Sequence, residues 1–195
     1  MQSQDPAIDK LLEILYGWVP YTPAFKMEIT QLMQSQKVKA KQLLYPYGSH
    51  VSSAWFSYNC WAAQFERAAD GIEEVVKIYR PGDIFTDLNS FFRSKEATSK
   101  MLILEGESLL QITRTCFQKL KQHPETSELL QHYMLLQTDH DAWRLQLMSL
   151  TDQEKIKLFA EKYPINNLPA AIAASYLRIS PSRFSSLRGK FNKFS

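Results

Sequence analysis

Sulfur, glycine-rich loops and long apolar runs are all scarce in this chain. Only two cysteines occur in 195 residues, Cys60 and Cys116, far apart and without CxxC spacing. Their scarcity argues against a disulfide scaffold or a thiolate metal site and fits a reducing cytoplasm. No run approaches about 18 uninterrupted apolar residues, and Asp5, Asp9 and Glu13 stand where a signal peptide would be basic and then apolar. Neither a membrane span nor an export signal is expected. The six glycines form no phosphate loop, and HExxH and GxSxG are absent, so the reading has no catalytic residue, no cofactor and no enzyme. His132 and His140 lie about two helical turns apart, too far for one ion, and no metal is expected. Acidic residues stop at Glu161. Beyond it lie six basic residues (Lys162, Arg178, Arg183, Arg188, Lys190, Lys193), leaving 17 of the 23 basic and all 20 acidic residues in the first 161 positions. A tail of one sign is an electrostatic footprint for a polyanion.

What is present suffices for a core: 45% of residues are hydrophobic and 12% aromatic. Trp18, Trp55, Trp61 and Trp143 are expected in core or interface positions. Asp5-Pro6 and Thr22-Pro23 each set a capping oxygen before a proline, opening two short helices that carry Leu11, Leu12, Leu15 and then Phe25, Ile29. From Lys37 to about Gln111, short apolar runs alternate with turn signals such as Tyr47-Gly48-Ser49, Arg80-Pro81-Gly82-Asp83 and Glu105-Gly106-Glu107. This spacing predicts an antiparallel sandwich or barrel, with a short helix near Phe85–Phe92. A long helix over 125–150 follows. In it Leu129, Tyr133, Leu136, His140, Trp143, Leu147 and Leu150 step as a heptad, with Leu130, Met134, Leu145 and Met148 as a second flank. The first set is expected to be a dimer seam.

The last stretch has the grammar of a helix-turn-helix. Ile172, Ala173 and Leu177 face inward on a first helix, and Arg178-Ile179-Ser180 makes the turn. Ser180 then caps a second helix with Pro181 at its first position and Phe184 and Leu187 buried. Ser182, Arg183, Ser185, Ser186, Arg188 and Lys190 are left on the surface, side chains suited to phosphates and base edges of double-stranded DNA.

The segment Ile172-Ala173-Ala174-Ser175-Tyr176-Leu177-Arg178-Ile179-Ser180 resembles the DNA-reading motif of the Crp–Fnr family of transcription regulators. Pro81-Gly82-Asp83-Ile84-Phe85-Thr86-Asp87 and Leu102–Leu110 resemble the strands that lead into and out of that family's nucleotide cassette. The resemblance implies an α+β fold: a jelly-roll, cyclic-nucleotide-binding-like β-barrel, a long dimerisation helix and a small helical DNA-binding domain. The expected division is 1–124, 125–150 and 151–195, working as a cytoplasmic homodimer on DNA. The cassette is degenerate. Thr86 stands in the place of a glycine, Asp87 in the place of a glutamate, and Ala97-Thr98 where an arginine would neutralise phosphate; Arg93, Lys95 and Lys100 lie nearby at the wrong spacing. Cyclic AMP and cyclic GMP are therefore not expected as ligands. Any other effector, its identity open, is expected in an apolar pocket around Trp55, Phe85, Thr86, Asp87 and Phe91. No wing hairpin follows the second helix, Arg178 replaces the common turn glycine, and Ser186 stands in place of a reading arginine. The alternative is a ligand-sensing or protein-interaction module whose DNA-binding unit has decayed.

Overall fold

The computed structural model describes residues 5–194. Two helices open it, α1 (Pro6–Trp18) and α2 (Pro23–Leu32). Asp5 Oδ1 accepts from the Ala7 N–H at 2.9 Å and Thr22 Oγ1 from the Phe25 N–H at 3.3 Å, so both helices start at the expected caps. Such caps contribute roughly 1 kcal/mol each by occupying N–H groups the helix leaves free. Leu11, Leu12, Leu15, Phe25 and Ile29 then pack with Phe56, Leu110 and Ile112 of a sheet.

Eight strands form two antiparallel four-stranded sheets: β1 (Gln34–Lys37), β2 (Leu43–Tyr45), β3 (Ser53–Ser57), β4 (Trp61–Arg67), β5 (Glu73–Tyr79), β6 (Ile84–Phe85), β7 (Ser99–Glu105) and β8 (Ser108–Thr113). One sheet runs β1-β8-β3-β6 and the other β2-β7-β4-β5. Alternation of side chains assigns Trp55 to the barrel interior, with Tyr45, Tyr79, Phe85, Met101 and Ile103, while the next residue, Phe56, joins the helical layer outside. The β7–β8 hairpin turns at Gly106 with φ +125°, and a Cβ there would lie 2.5 Å from the Cys60 Cα. Only glycine fits that approach.

The short helix expected near Phe85–Phe92 is α3 (Leu88–Arg93), and α4 (Arg114–Leu120) leads to the long α5 (Pro124–Ser149). Strand β1, polar along its length and at a sheet edge, and helix α4 carry no apolar pattern strong enough to have been anticipated. After α5 come α6 (Asp152–Lys162), α7 (Ala170–Leu177) and α8 (Pro181–Phe194). Glu154 accepts from the Thr151 N–H at 2.9 Å, the capping arrangement expected at the start of α6. One apolar cluster joins Ala63, Val75 and Ile78 of the β4–β5 ribbon to Leu147 of α5 and to Phe159, Tyr163, Tyr176, Leu177, Phe184 and Leu187. The barrel and the terminal helices thus share a core. Among the described residues no helix is long and apolar enough to cross a membrane.

Candidate nucleic-acid interface and ligand cassette

The terminal helices meet as a helix-turn-helix must. Ala173 and Ala174 are fully buried, small enough to let α7 and α8 approach, and Ile179 packs against the same cluster. Ser180 Oγ accepts from the Arg183 N–H at 3.2 Å, and the Phe184 N–H donates to the Ser180 carbonyl at 2.9 Å, starting α8 one residue before Pro181. Phe184 and Leu187 point inward. Ser182, Arg183, Ser185, Ser186 and Lys190 are exposed on the other side, with Lys193 beyond them. Arg188 is half-buried, its guanidinium 5.4 Å from the centre of the Phe184 ring. The Ser185 hydroxyl donates to the Pro181 carbonyl at 2.9 Å. Arg183 Nε lies 3.0 Å from Asp152 Oδ2 on α6, an exposed pair of the kind that is worth roughly 0–1 kcal/mol. Asn166 and Asn192 exchange hydrogen bonds that tie α8 to the loop before α7.

Polar contacts fasten this unit to the barrel. The Val75 N–H donates to Ser175 Oγ at 2.9 Å, the Tyr163 hydroxyl to the Ile78 carbonyl at 3.3 Å, and Arg178 reaches Glu74 through Nε and a terminal nitrogen at 3.0 and 2.6 Å. Arg178 holds φ 55°, ψ 45°, the left-handed turn where glycine is at ease. An arginine there costs roughly 1–2 kcal/mol of backbone strain, and its fork on Glu74 offsets part of that. Tyr176, whose role the sequence did not disclose, is the largest fully buried side chain; its hydroxyl lies 3.3 Å from His140 Nε2.

In the cassette Asp87 caps α3. One carboxylate oxygen accepts from the Ser90 N–H and the other from the Ser99 hydroxyl, both at 2.9 Å. The Thr86 hydroxyl donates to the Ser53 carbonyl at 2.8 Å. Ala97 is buried and carries no charge. Arg93 and Lys95 are exposed on the surface, and Lys100 pairs with Glu73 on the sheet. Inside the barrel Trp55 stacks on Tyr45 and on Phe85, each pair with centroids 6.0 Å apart. Of the five residues expected around an effector, Trp55, Thr86 and Phe91 line one carbon-walled cavity of about 120 Å³ between α1, α2, α5 and the outer face of the sheet. The other two do not reach it: Phe85 belongs to the barrel interior and Asp87 is held by its two partners.

The heptad seam needs correction. Leu129, Tyr133 and Leu147 are buried within the chain itself, and the His140 and Trp143 rings pack at tilted or edge-on angles against Tyr176 and Tyr163. A seam beside a barrel and a tyrosine-rich core finds its partners at home. At about 100° per residue, the face opposite it carries Met134, Leu135, Thr138, Ala142 and Leu145. Its hydrophobics are the ones left open, with Met134 45%, Leu135 63% and Leu145 74% exposed. Leu136, within the seam, is 39% exposed. Leu130 and Met148 of the second flank are half-buried. Among the described residues no group of three or more His, Cys, Asp or Glu is placed to hold a metal.

The architecture defined by this geometry, a jelly-roll with a long helix and a terminal helix-turn-helix, is the Crp/Fnr-type fold with its cyclic-nucleotide-binding-like domain. Three solved structures show it. FixK2 from Bradyrhizobium japonicum superposes with a TM-score of 0.71 at 11% identity, covering 83% of this chain and 85% of that one. The c-di-GMP responsive global regulator CLP of Xanthomonas campestris gives 0.67 at 10%, covering 88% and 92%. The catabolite activator protein of Thermus thermophilus gives 0.58 at 14%, covering 92% and 87%. No known family profile and no curated protein sequence matches this chain.

Proposed function

We propose that this chain is a cytoplasmic, homodimeric transcription regulator that reads duplex DNA through α8 and ignores cyclic nucleotides. The observation that carries the reading is the outer face of α8, a capped helix braced by α7 with no acidic residue of its own. Ser182, Arg183, Ser186 and Lys190 are exposed there, Arg183 being paired with Asp152 of α6. Arg183, in the first turn, is the base-edge contact; Lys190 and Lys193 hold phosphates. Arg188 lies against Phe184 and adds charge from the flank. In a dimer the two reading helices address half-sites roughly 34 Å apart, so the operator is an imperfect palindrome.

Indifference to cyclic nucleotides has its own support. The Tyr45–Trp55–Phe85 stack occupies the barrel interior, both Asp87 oxygens already accept a hydrogen bond within the chain, and Ala97 offers no charge to a phosphate. A phosphate buried there without a cation would be costly. The cavity bordered by Trp55, Thr86 and Phe91 suits an uncharged, apolar effector of about one aromatic ring.

Fluorescence anisotropy on labelled duplexes across a salt series tests the reading. Arg183→Ala should lower discrimination between sites by roughly 1–3 kcal/mol, while Lys190→Ala weakens all duplexes alike and flattens the salt slope by about one. Added cyclic AMP should leave every curve in place. A wild type that ignores duplex DNA near about 50 mM salt sinks the regulator and leaves the interaction module with a decayed DNA-binding unit.

A further inference from the structure

Where the barrel, α5 and the end of α6 meet, the chain leaves a second hollow, of about 160 Å³, outside both the cassette and the apolar cavity. Three cations from three segments border it: Lys77 on β5, Arg80 in the β5–β6 turn and Lys162 at the end of α6. We propose that this hollow binds a small phosphorylated metabolite, with the phosphate held by Lys162 and Arg80 and supported by Lys77.

The charges are unevenly matched. Lys77 is paired, 3.2 Å from Asp141, and donates to Gln137 at 2.6 Å. Asp83 accepts from the Arg80 backbone N–H at 2.7 Å and lies 3.8 Å from the Arg80 guanidinium, so that carboxylate holds the turn together. Lys162 has no carboxylate within ion-pair distance among the described residues; its ammonium sits 4.2 Å over the Trp143 ring. His140 adds no positive charge near neutrality, because burial first, and then Lys162 and Lys77, hold its pKa down to about 4. Burial, followed by repulsion from Arg80, also holds the Lys162 pKa below the ordinary lysine range. Asp83 also lines the hollow and attracts Lys162, so three cations face one lining carboxylate, and the net positive charge that remains is what an oxyanion would relieve.

Size and position narrow the ligand. The hollow has room for about five waters at roughly 30 Å³ each, enough for a phosphate group and a short carbon skeleton, too little for a nucleic-acid strand. Arg80 also donates to the Lys162 carbonyl at 3.5 Å, so both proposed phosphate ligands lie where the barrel meets the terminal helices. A phosphate spanning them tightens that junction.

The full chain, titrated with inorganic phosphate at constant ionic strength against sodium chloride, tests the site. Expected is a saturable change in tryptophan emission as the Lys162 ammonium leaves the Trp143 ring, together with a rise in the unfolding midpoint. Lys162→Gln and Arg80→Gln should each weaken binding at least about tenfold, Lys162→Arg should keep it, and Lys26→Gln, on α2, should leave it unchanged. Should Lys162→Gln fail to fold, Arg80→Gln decides alone. A response that never saturates, or that is equal in wild type and Arg80→Gln, overturns the site.

Discussion

At the scale of single residues, two side chains carry strain with measurable signatures. Arg178 holds a left-handed turn that suits glycine and offsets the cost through Glu74. Arg178→Ala keeps the strain and loses the pair, whereas Arg178→Gly removes the strain. The glycine variant should be the more stable of the two by about 1 kcal/mol in urea unfolding, and equal stabilities would refute the strain. His140 is the second. Its pKa, held down to about 4 chiefly by burial, lies below the ordinary histidine value of 6.5, so the unfolded chain takes up a proton that the folded one refuses. Its contribution is complete above about pH 6.5 and lost as pH falls towards 4, on the order of 3 kcal/mol in total. Plotting unfolding free energy against pH should show that slope in the wild type, and His140→Gln should flatten it. Parallel curves would place the loss on other groups.

At the scale of elements, α5 has two apolar faces, one covered by its own chain and one open. We infer that the open face, with Met134, Leu135 and Leu145, is where two copies pair. Leu135→Glu combined with Leu145→Glu should give monomers in light scattering at tens of micromolar, without loss of folded structure. A wild type already monomeric there would leave the face unpaired. This face was half legible in the sequence. A 3.5-residue repeat announces a packed helix, but periodicity cannot say whether the partner is another copy or the barrel, because that depends on strands far away in sequence. The terminal unit was more legible, since the Ser180 cap, Pro181, the small Ala173 and the inward Ile179 lie within a dozen residues and act locally. Its docking was not. The Arg178–Glu74 and Ser175–Val75 contacts join positions 104 and 100 apart, and neither partner stands out in its own neighbourhood. Strand β1 escaped notice for a related reason, as its polar residues pair with β8 by backbone alone.

At the scale of the whole molecule, the barrel was readable from turn signals at regular spacing, and the lack of a charged side chain at Thr86 and Ala97 was plain from the residues themselves. What could not be read was which surfaces the finished pieces cover. The core shared by Ala63, Val75 and Ile78 with Phe159, Tyr163 and Tyr176 bears on inheritance as well as folding. A nonsense mutation between α5 and α6 would not release a free barrel. It would strip the cover from the β4–β5 ribbon and leave a sticky apolar strip on a chain the cell must degrade or lose to inclusion bodies. A fragment spanning 1–150 should accordingly partition into the pellet when expressed, and a soluble, monodisperse fragment would show that the ribbon can do without its cover. Genetic damage at the far end of this protein would thus silence the whole of it.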